Sequence, residues 1–127
     1  MSNVTPLTPA AAFMTFLSSF GVPVYAASAV PSEATYPYMT FLWVHGEWEK
    51  GEVNIQTNLY YYTDSEAVPN AKVKQIYDGI GMGGVLLPCD GGHIWVKRGS
   101  PFAQTVVDEN DKIKRRLINI SVEFDIS

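Results

Sequence analysis

Arg116-Leu117-Ile118-Asn119-Ile120-Ser121-Val122-Glu123-Phe124-Asp125-Ile126 alternates between two kinds of residue almost throughout. Side chains on a strand point to opposite faces with a period of two. The stretch therefore reads as a half-buried strand, with Ile118, Ile120, Val122, Phe124 and Ile126 turned to a core. Leu117, Asn119, Ser121, Glu123 and Asp125 turn to water or to a partner. Residues 53–62 repeat the pattern: Val53, Ile55, Thr57, Leu59 and Tyr61 share one face, and Asn54, Gln56, Asn58, Tyr60 and Tyr62 the other. Two such strands, each with one wet face, call for an antiparallel sheet covered on a single side.

The remaining elements are read outward from these two. Residues 38–44 are rich in aromatic and β-prone types and open after Pro37, and residues 46–51 are charged and bounded by glycines. With residues 53–62 they form a hairpin. Residues 85–88 and 93–97 flank Asp90-Gly91-Gly92, a strong turn signal, and form a second hairpin. Residues 22–26 suggest a short strand, which Pro23 confines to an edge or a strand start.

Residues 8–20 predict a helix. Thr8 caps it, Pro9 suits its first turn, and Gly21 stops it. Phe13, Phe16, Leu17 and Phe20 make an apolar stripe at helical spacing, most simply a core-facing one. Asp64 or Ser65 can cap a second helix that runs to about Ile80, with Val73, Ile76, Tyr77 and Ile80 as its stripe; Pro69 lies near its first turn, or the helix begins after it. Residues 27–36 and 99–111 read as loops. The order is α-β-β-β-α-β-β-β, an α+β fold. We expect a single domain over residues 1–127, a twisted and mainly antiparallel sheet with two helices packed on one face.

Composition limits the function. The chain has 127 residues with 46% hydrophobic content, enough for one packed core. A net charge of −4 argues against whole-surface nucleic-acid binding. No apolar run reaches the roughly 18–20 residues of a membrane span. The N-terminus lacks the basic start of a secretory leader, so none is expected. Cys89 is the only cysteine, which excludes an intrachain disulfide and suits a reducing cytoplasm. Charge is also unevenly spread: Glu33 is the only charged side chain before His45, so the first third is expected to be buried in the core or against partners.

Motifs of chemistry are weak. Gly79-Ile80-Gly81-Met82-Gly83-Gly84 spells G-x-G-x-x-G, but a helix precedes it and a hairpin follows, the reverse of a dinucleotide site. A helix end is the simpler reading. His45 and His93 lie near Glu47, Glu49, Glu52 and Asp90 without metal-ligand spacing. Cys89 and His93 straddle a tight turn, and no nucleophile elbow is present. No catalytic, metal or cofactor residue is expected.

Candidate contact residues are clearer. Six of the nine basic residues, Lys97, Arg98, Lys112, Lys114, Arg115 and Arg116, flank residues 99–111. A phosphate patch, neutralisation by Asp108, Glu109 and Asp111, and an intersubunit salt-bridge arm are the options, with neutralisation favoured. Alternation turns Tyr60 and Tyr62 away from Tyr61, and Trp43, Trp48 and Trp95 add large surfaces suited to interfaces. Interface candidates are Tyr36, Tyr38, Tyr60, Tyr62, Lys97, Arg98, Phe102, Arg115 and Arg116. Residues 26–38, small or Tyr/Pro-rich, are a further contact candidate, as are residues 47–51.

Three phrases carry a resemblance. They are Pro23-Val24-Tyr25 with Val30-Pro31 and Tyr36-Pro37-Tyr38-Met39-Thr40-Phe41; the run from Pro88-Cys89-Asp90-Gly91-Gly92 through Lys97-Arg98-Gly99-Ser100-Pro101-Phe102-Ala103-Gln104; and Lys114-Arg115-Arg116-Leu117-Ile118-Asn119-Ile120-Ser121-Val122-Glu123-Phe124. Together they resemble small structural proteins from the morphogenesis clusters of long-tailed bacteriophages and prophages, above all the tail terminator, or tail-completion (neck), family. That resemblance implies an α+β subunit, a hexameric ring, and a location in the tail or neck of the virion after assembly in the host cytoplasm. The ring would cap the tail tube, stop its polymerisation and meet the head-completion or connector protein. DNA would pass through its lumen without sequence recognition, and neither catalysis, cofactor nor membrane is implied. Other readings are another neck or head-closure component, a small ligand-binding or enzymatic domain using residues 79–84 and His93, and a nucleic-acid module using the basic cluster.

Overall fold

The computed structural model describes residues 7–44 and 51–126. The expected turn over residues 46–51, with His45, Glu47, Trp48 and Glu49, lies almost wholly outside them. The element order is α1 (Pro9–Ser18), β1 (Val24–Ala26), β2 (Tyr38–Leu42), β3 (Gly51–Tyr62), α2 (Ala67–Ile80), β4 (Val85–Cys89), β5 (Gly92–Val106) and β6 (Ile113–Ile126). All six strands form one curled sheet in the order β1-β2-β3-β6-β5-β4. Every neighbouring pair is antiparallel except β1–β2, which is parallel. The architecture is α+β in a single domain, as expected.

Local sequence explains most of the elements. Thr8 caps α1 by accepting a hydrogen bond from the Ala11 amide at 3.1 Å, and Pro9 occupies the first turn. At the start of α2 the cap position falls to Glu66, which makes no side-chain cap bond. Ser65 Oγ instead accepts from the Ala67 amide at 3.2 Å. Gly81 ends α2 with φ +77°, a conformation that favours glycine.

The core lies between one face of the sheet and both helices. Phe13 and Leu17 of α1 and Ile76 and Ile80 of α2 are buried against Met39, Phe41, Ile55, Leu59, Ile94, Val96, Ile118, Ile120 and Val122. Burying an aliphatic or aromatic side chain of this size stabilises a fold by about 1.5–3 kcal/mol, so this face carries most of the cohesion. Phe13 meets Phe41 of β2 edge-on at 5.6 Å and Trp43 at 5.7 Å, which ties α1 to the aromatic part of the core. The aromatic stripe of α1 is thus a core stripe.

Three expectations require correction. Residues 99–106 are strand rather than loop, because β5 runs to Val106. Its register against β6 shifts between Arg98 and Ala103, and this bulge absorbs Gly99, Ser100 and Pro101, whose chemistry reads as a turn. Tyr77 lies on the outer side of α2, 40% exposed, rather than in the core stripe. Arg116 is the third: it shares the core-facing register of Ile118 and is only 4% exposed.

Candidate interaction surfaces

The sheet face turned away from the helices carries an aromatic row. Tyr38, Tyr60 and Arg115 are register neighbours on β2, β3 and β6. The Tyr38 and Tyr60 rings stack at 5.0 Å with a 24° interplanar angle. Tyr25 approaches Tyr38 at 6.1 Å, and Tyr36 bridges Tyr38 at 5.4 Å and Tyr62 at 5.8 Å. The Arg115 guanidinium lies 5.7 Å from the Tyr60 ring centre, and its Nε donates to Asn58 Oδ1 at 2.8 Å. The row therefore joins Tyr36, Tyr38, Tyr60, Tyr62 and Arg115 in one patch. Crowding by neighbours raises the Tyr38 phenol pKa, first by burial and then through the Tyr36 and Tyr60 phenols. The Tyr38 phenol therefore stays neutral and able to donate. Tyr61 points to the opposite side, and burial raises its pKa as well.

Lys97 belongs to a different cluster. It pairs with Glu52 and with Glu123 (3.2 Å) and lies 4.4 Å over the Trp95 ring. The hydrogen bond from Lys97 lowers the Glu52 pKa, and the same bond is the first cause of the raised Lys97 pKa. Trp95 Nε1 donates to the Gly83 carbonyl at 2.8 Å. That contact ties β5 to the turn before β4. Gly84 sits there with φ +78°, and a Cβ on it would fall 2.5 Å from the Val96 carbonyl oxygen.

Arg98 projects to the helix side. Its guanidinium lies 3.4 Å from the Tyr77 ring centre, and its Nε donates to the Tyr77 carbonyl at 2.9 Å. Phe102 meets the same ring edge-on at 5.2 Å. Lys97 and Arg98, adjacent in sequence, therefore serve opposite faces.

Arg116 is placed inside the subunit. It donates to Glu66 Oε1 at 2.6 Å, Asn70 Oδ1 at 3.0 Å and the Arg115 carbonyl at 3.2 Å, tying the first turn of α2 to β6. The Arg116 hydrogen bond lowers the Glu66 pKa, and Lys114 at 3.6 Å adds to it. Lys112 pairs with Asp64 at 3.7 Å. Four of the six clustered basic residues, Lys97, Lys112, Lys114 and Arg116, are thus neutralised, by Glu52, Glu66, Asp64 and Glu123 rather than by the expected Asp108, Glu109 and Asp111, while Arg98 and Arg115 lie against tyrosine rings. Asp108 and Asn110 instead accept from the amides of Asn110 and Lys112 and shape the turn before β6.

A groove of about 410 Å³ runs between α2 and the far half of β5. Val73, Lys74 and Tyr77 form its helix side, and the four consecutive residues 102–105 form its other wall. Alternate strand residues face opposite ways, so four in succession place the groove along the strand edge rather than over a face. Among the described residues no strand pairs with that edge, since β4 pairs only with residues 92–96. Reading 99–111 as a loop hid this groove. The β-prone run Gln104-Thr105-Val106-Val107 after Pro101 was the available signal.

The weaker chemical readings find no support in the geometry. Residues 79–84 end α2 and lead into β4. His93 Nε2 lies 3.1 Å from Asp125 Oδ2, and among the described residues no group of three or more His, Cys, Asp or Glu gathers to hold a metal ion. Among the same residues no helix is long and apolar enough to cross a membrane.

No protein-family model matches this sequence, and no curated protein matches it. Solved structures do. Its fold is similar to that of a virion chain. One match is to a chain in the virion of a native gene transfer agent (GTA) particle, with a TM-score of 0.55 over 85% of this chain and 83% of that one. Sequence identity is 16%, so the likeness is one of fold.

Proposed function

We propose that this chain is a phage-type virion structural protein, and within that class a tail terminator. Six copies close into a ring at the end of the finished tail tube, stop its polymerisation and present a surface to the head-completion or connector protein. DNA passes through the lumen without sequence readout, and the role is structural rather than catalytic. The observation that carries this reading is the fold likeness to a gene transfer agent virion chain over most of both lengths. The resemblance of three sequence phrases to tail terminators narrows the class. The aromatic patch and the open β5 edge supply two separate surfaces, and a closed ring of identical subunits needs two different contact patches on each copy.

Light scattering at several concentrations, with negative-stain images in the presence and absence of the tail tube protein, tests the proposal. Rings seated on tube ends are expected. A chain that stays monomeric with tube present, or that binds only the head connector, overturns the terminator assignment.

A further inference from the structure

The strand side of the α2–β5 groove is an open edge. Alternate residues from Ala103 to Val106 turn their amides and carbonyls away from β6, and among the described residues no strand meets them. Residues 102–107 carry no charge and no proline, the usual protections against pairing with another chain. Val73, Tyr77 and Phe102 give the groove apolar surface, and no carboxylate lines it. Lys74 does line it. Its side chain is 74% exposed and pairs with Asp78 at 2.9 Å, and an ammonium group has three donors to give. These walls fit an extended, mostly uncharged segment with an apolar side chain and one carboxylate.

Among the described residues, the segments of four or more outside helices and strands are 19–23, 27–37, 63–66, 81–84 and 107–112. In 19–23 the large apolar side chains, Phe20 and Val22, are buried. Residues 63–66 and 107–112 carry two and three carboxylates, and 81–84 is glycine except for Met82. Segment 27–37 has the required chemistry. Val30 is 37% exposed. Pro31 follows it, and a residue before proline is pushed towards extended backbone. The amides of Ser28 and Val30 and the carbonyls of Ser28, Ala29 and Val30 have no backbone partner among the described residues. Glu33 is the one charge of the segment. It accepts from Ser32 Oγ at 3.2 Å and meets no cation among the described residues.

We propose that residues 28–33 of one copy lie along the β5 edge of the next, with Val30 among Val73, Tyr77 and Phe102 and Glu33 on Lys74. No residue of 27–37 lines the groove of its own subunit, and β2, β3 and β6 stand between β1 and β5 in the sheet. Segment and groove are thus two different patches, so the contact is head-to-tail and propagates around a ring. Tyr36, near the end of the same segment, brings the aromatic patch towards this interface. The inference rests on the ring reading above and names its subunit contact.

The test uses full-length chains altered only at exposed positions. Val30→Asp should keep the wild-type melting temperature and lose self-association about tenfold. Glu33→Lys and Lys74→Glu should each weaken it about fivefold, and one chain carrying both changes should return to about the wild-type level. Rings that persist in all these variants overturn this contact and leave the terminator reading standing. A double variant no better than either single one also overturns it. Where the wild type is monomeric alone, a peptide of residues 27–37 titrated into the full chain decides the matter by NMR. Saturable shifts at Val73, Lys74, Tyr77 and Phe102, lost when the peptide carries Val30→Asp, support the contact even if tube binding fails. Shifts confined to the edges of β1 or β4, or no shifts, refute it.

Discussion

Residues 92–96 of β5 lie between β4 and β6, whereas residues 103–106 have β6 on one side and, among the described residues, no paired strand on the other. The near half contributes Ile94 and Val96, both fully buried. The far half contributes Phe102 and Ala103, which are only partly buried, and Gln104 and Thr105, which are exposed. One strand thus serves two purposes. Where neighbours stand on both sides its side chains hold the fold together; beyond the bulge its edge and apolar surface remain for another molecule. An edge with unpaired backbone groups invites pairing with another chain, and proteins usually blunt such edges or use them. Here the bulge after Arg98 marks the change.

The contrast can be broken most strongly in the near half. Ile94→Ala removes a fully buried side chain and should cost about 2–5 kcal/mol in chemical denaturation. A loss below about 1 kcal/mol would mean that this half is not the anchor claimed here. Gly84→Ala comes next. Its positive φ and the nearby Val96 carbonyl both resist a Cβ, so a loss of about 1–3 kcal/mol is expected, with β4 pairing weakened in hydrogen exchange.

A third comparison concerns the ion pair under the far half. The folded-state pKa of Glu66 lies below its usual 4.5, chiefly through the Arg116 hydrogen bond. A carboxylate depressed in this way stabilises the fold above its unfolded-state value, and that contribution is lost as pH falls through the folded one. Wild type should therefore melt above Glu66→Gln at neutral pH, with the gap closing as pH drops below about 4.5. A gap that does not change with pH would show that Glu66 acts by packing alone. The smallest effect belongs to the open edge itself. Thr105→Lys should alter monomer stability by less than about 0.5 kcal/mol while weakening assembly, and a large fall in melting temperature would place a hidden partner on that edge.

Much of this architecture was legible in the chain. Alternation in residues 53–62 and 116–126 identified β3 and β6 and assigned their faces correctly, because one face of each is buried and the other is not. Thr8 and Pro9 placed the start of α1, and Asp90-Gly91-Gly92 located the β4–β5 turn. What stayed hidden depends on tertiary context. Gly99, Ser100 and Pro101 have turn chemistry, yet pairing with β6 carries the strand through them. Arg116 is buried only because Glu66 and Asn70 reach it from α2, contacts separated by about fifty residues. The parallel pairing of β1 with β2 and the insertion of β6 between β3 and β5 are likewise long-range choices. Of the candidate surfaces, Tyr36, Tyr38, Tyr60, Tyr62 and Arg115 do assemble into one patch, whereas Lys97, Arg98 and Phe102 divide between two others.

The long pairing of β3 with β6 also gives the subunit a mechanical grain. A twelve-residue strand lies along a fourteen-residue one at the centre of the sheet. Hydrogen bonds between antiparallel strands run perpendicular to the chain, so a pull along β3 and β6 loads all of them together in shear. A pull across the sheet opens them one after another, starting at three-residue β1 or five-residue β4. The subunit should therefore resist tension along its central strands far better than tension from its edges, a difference that single-molecule pulling through paired cysteines would measure.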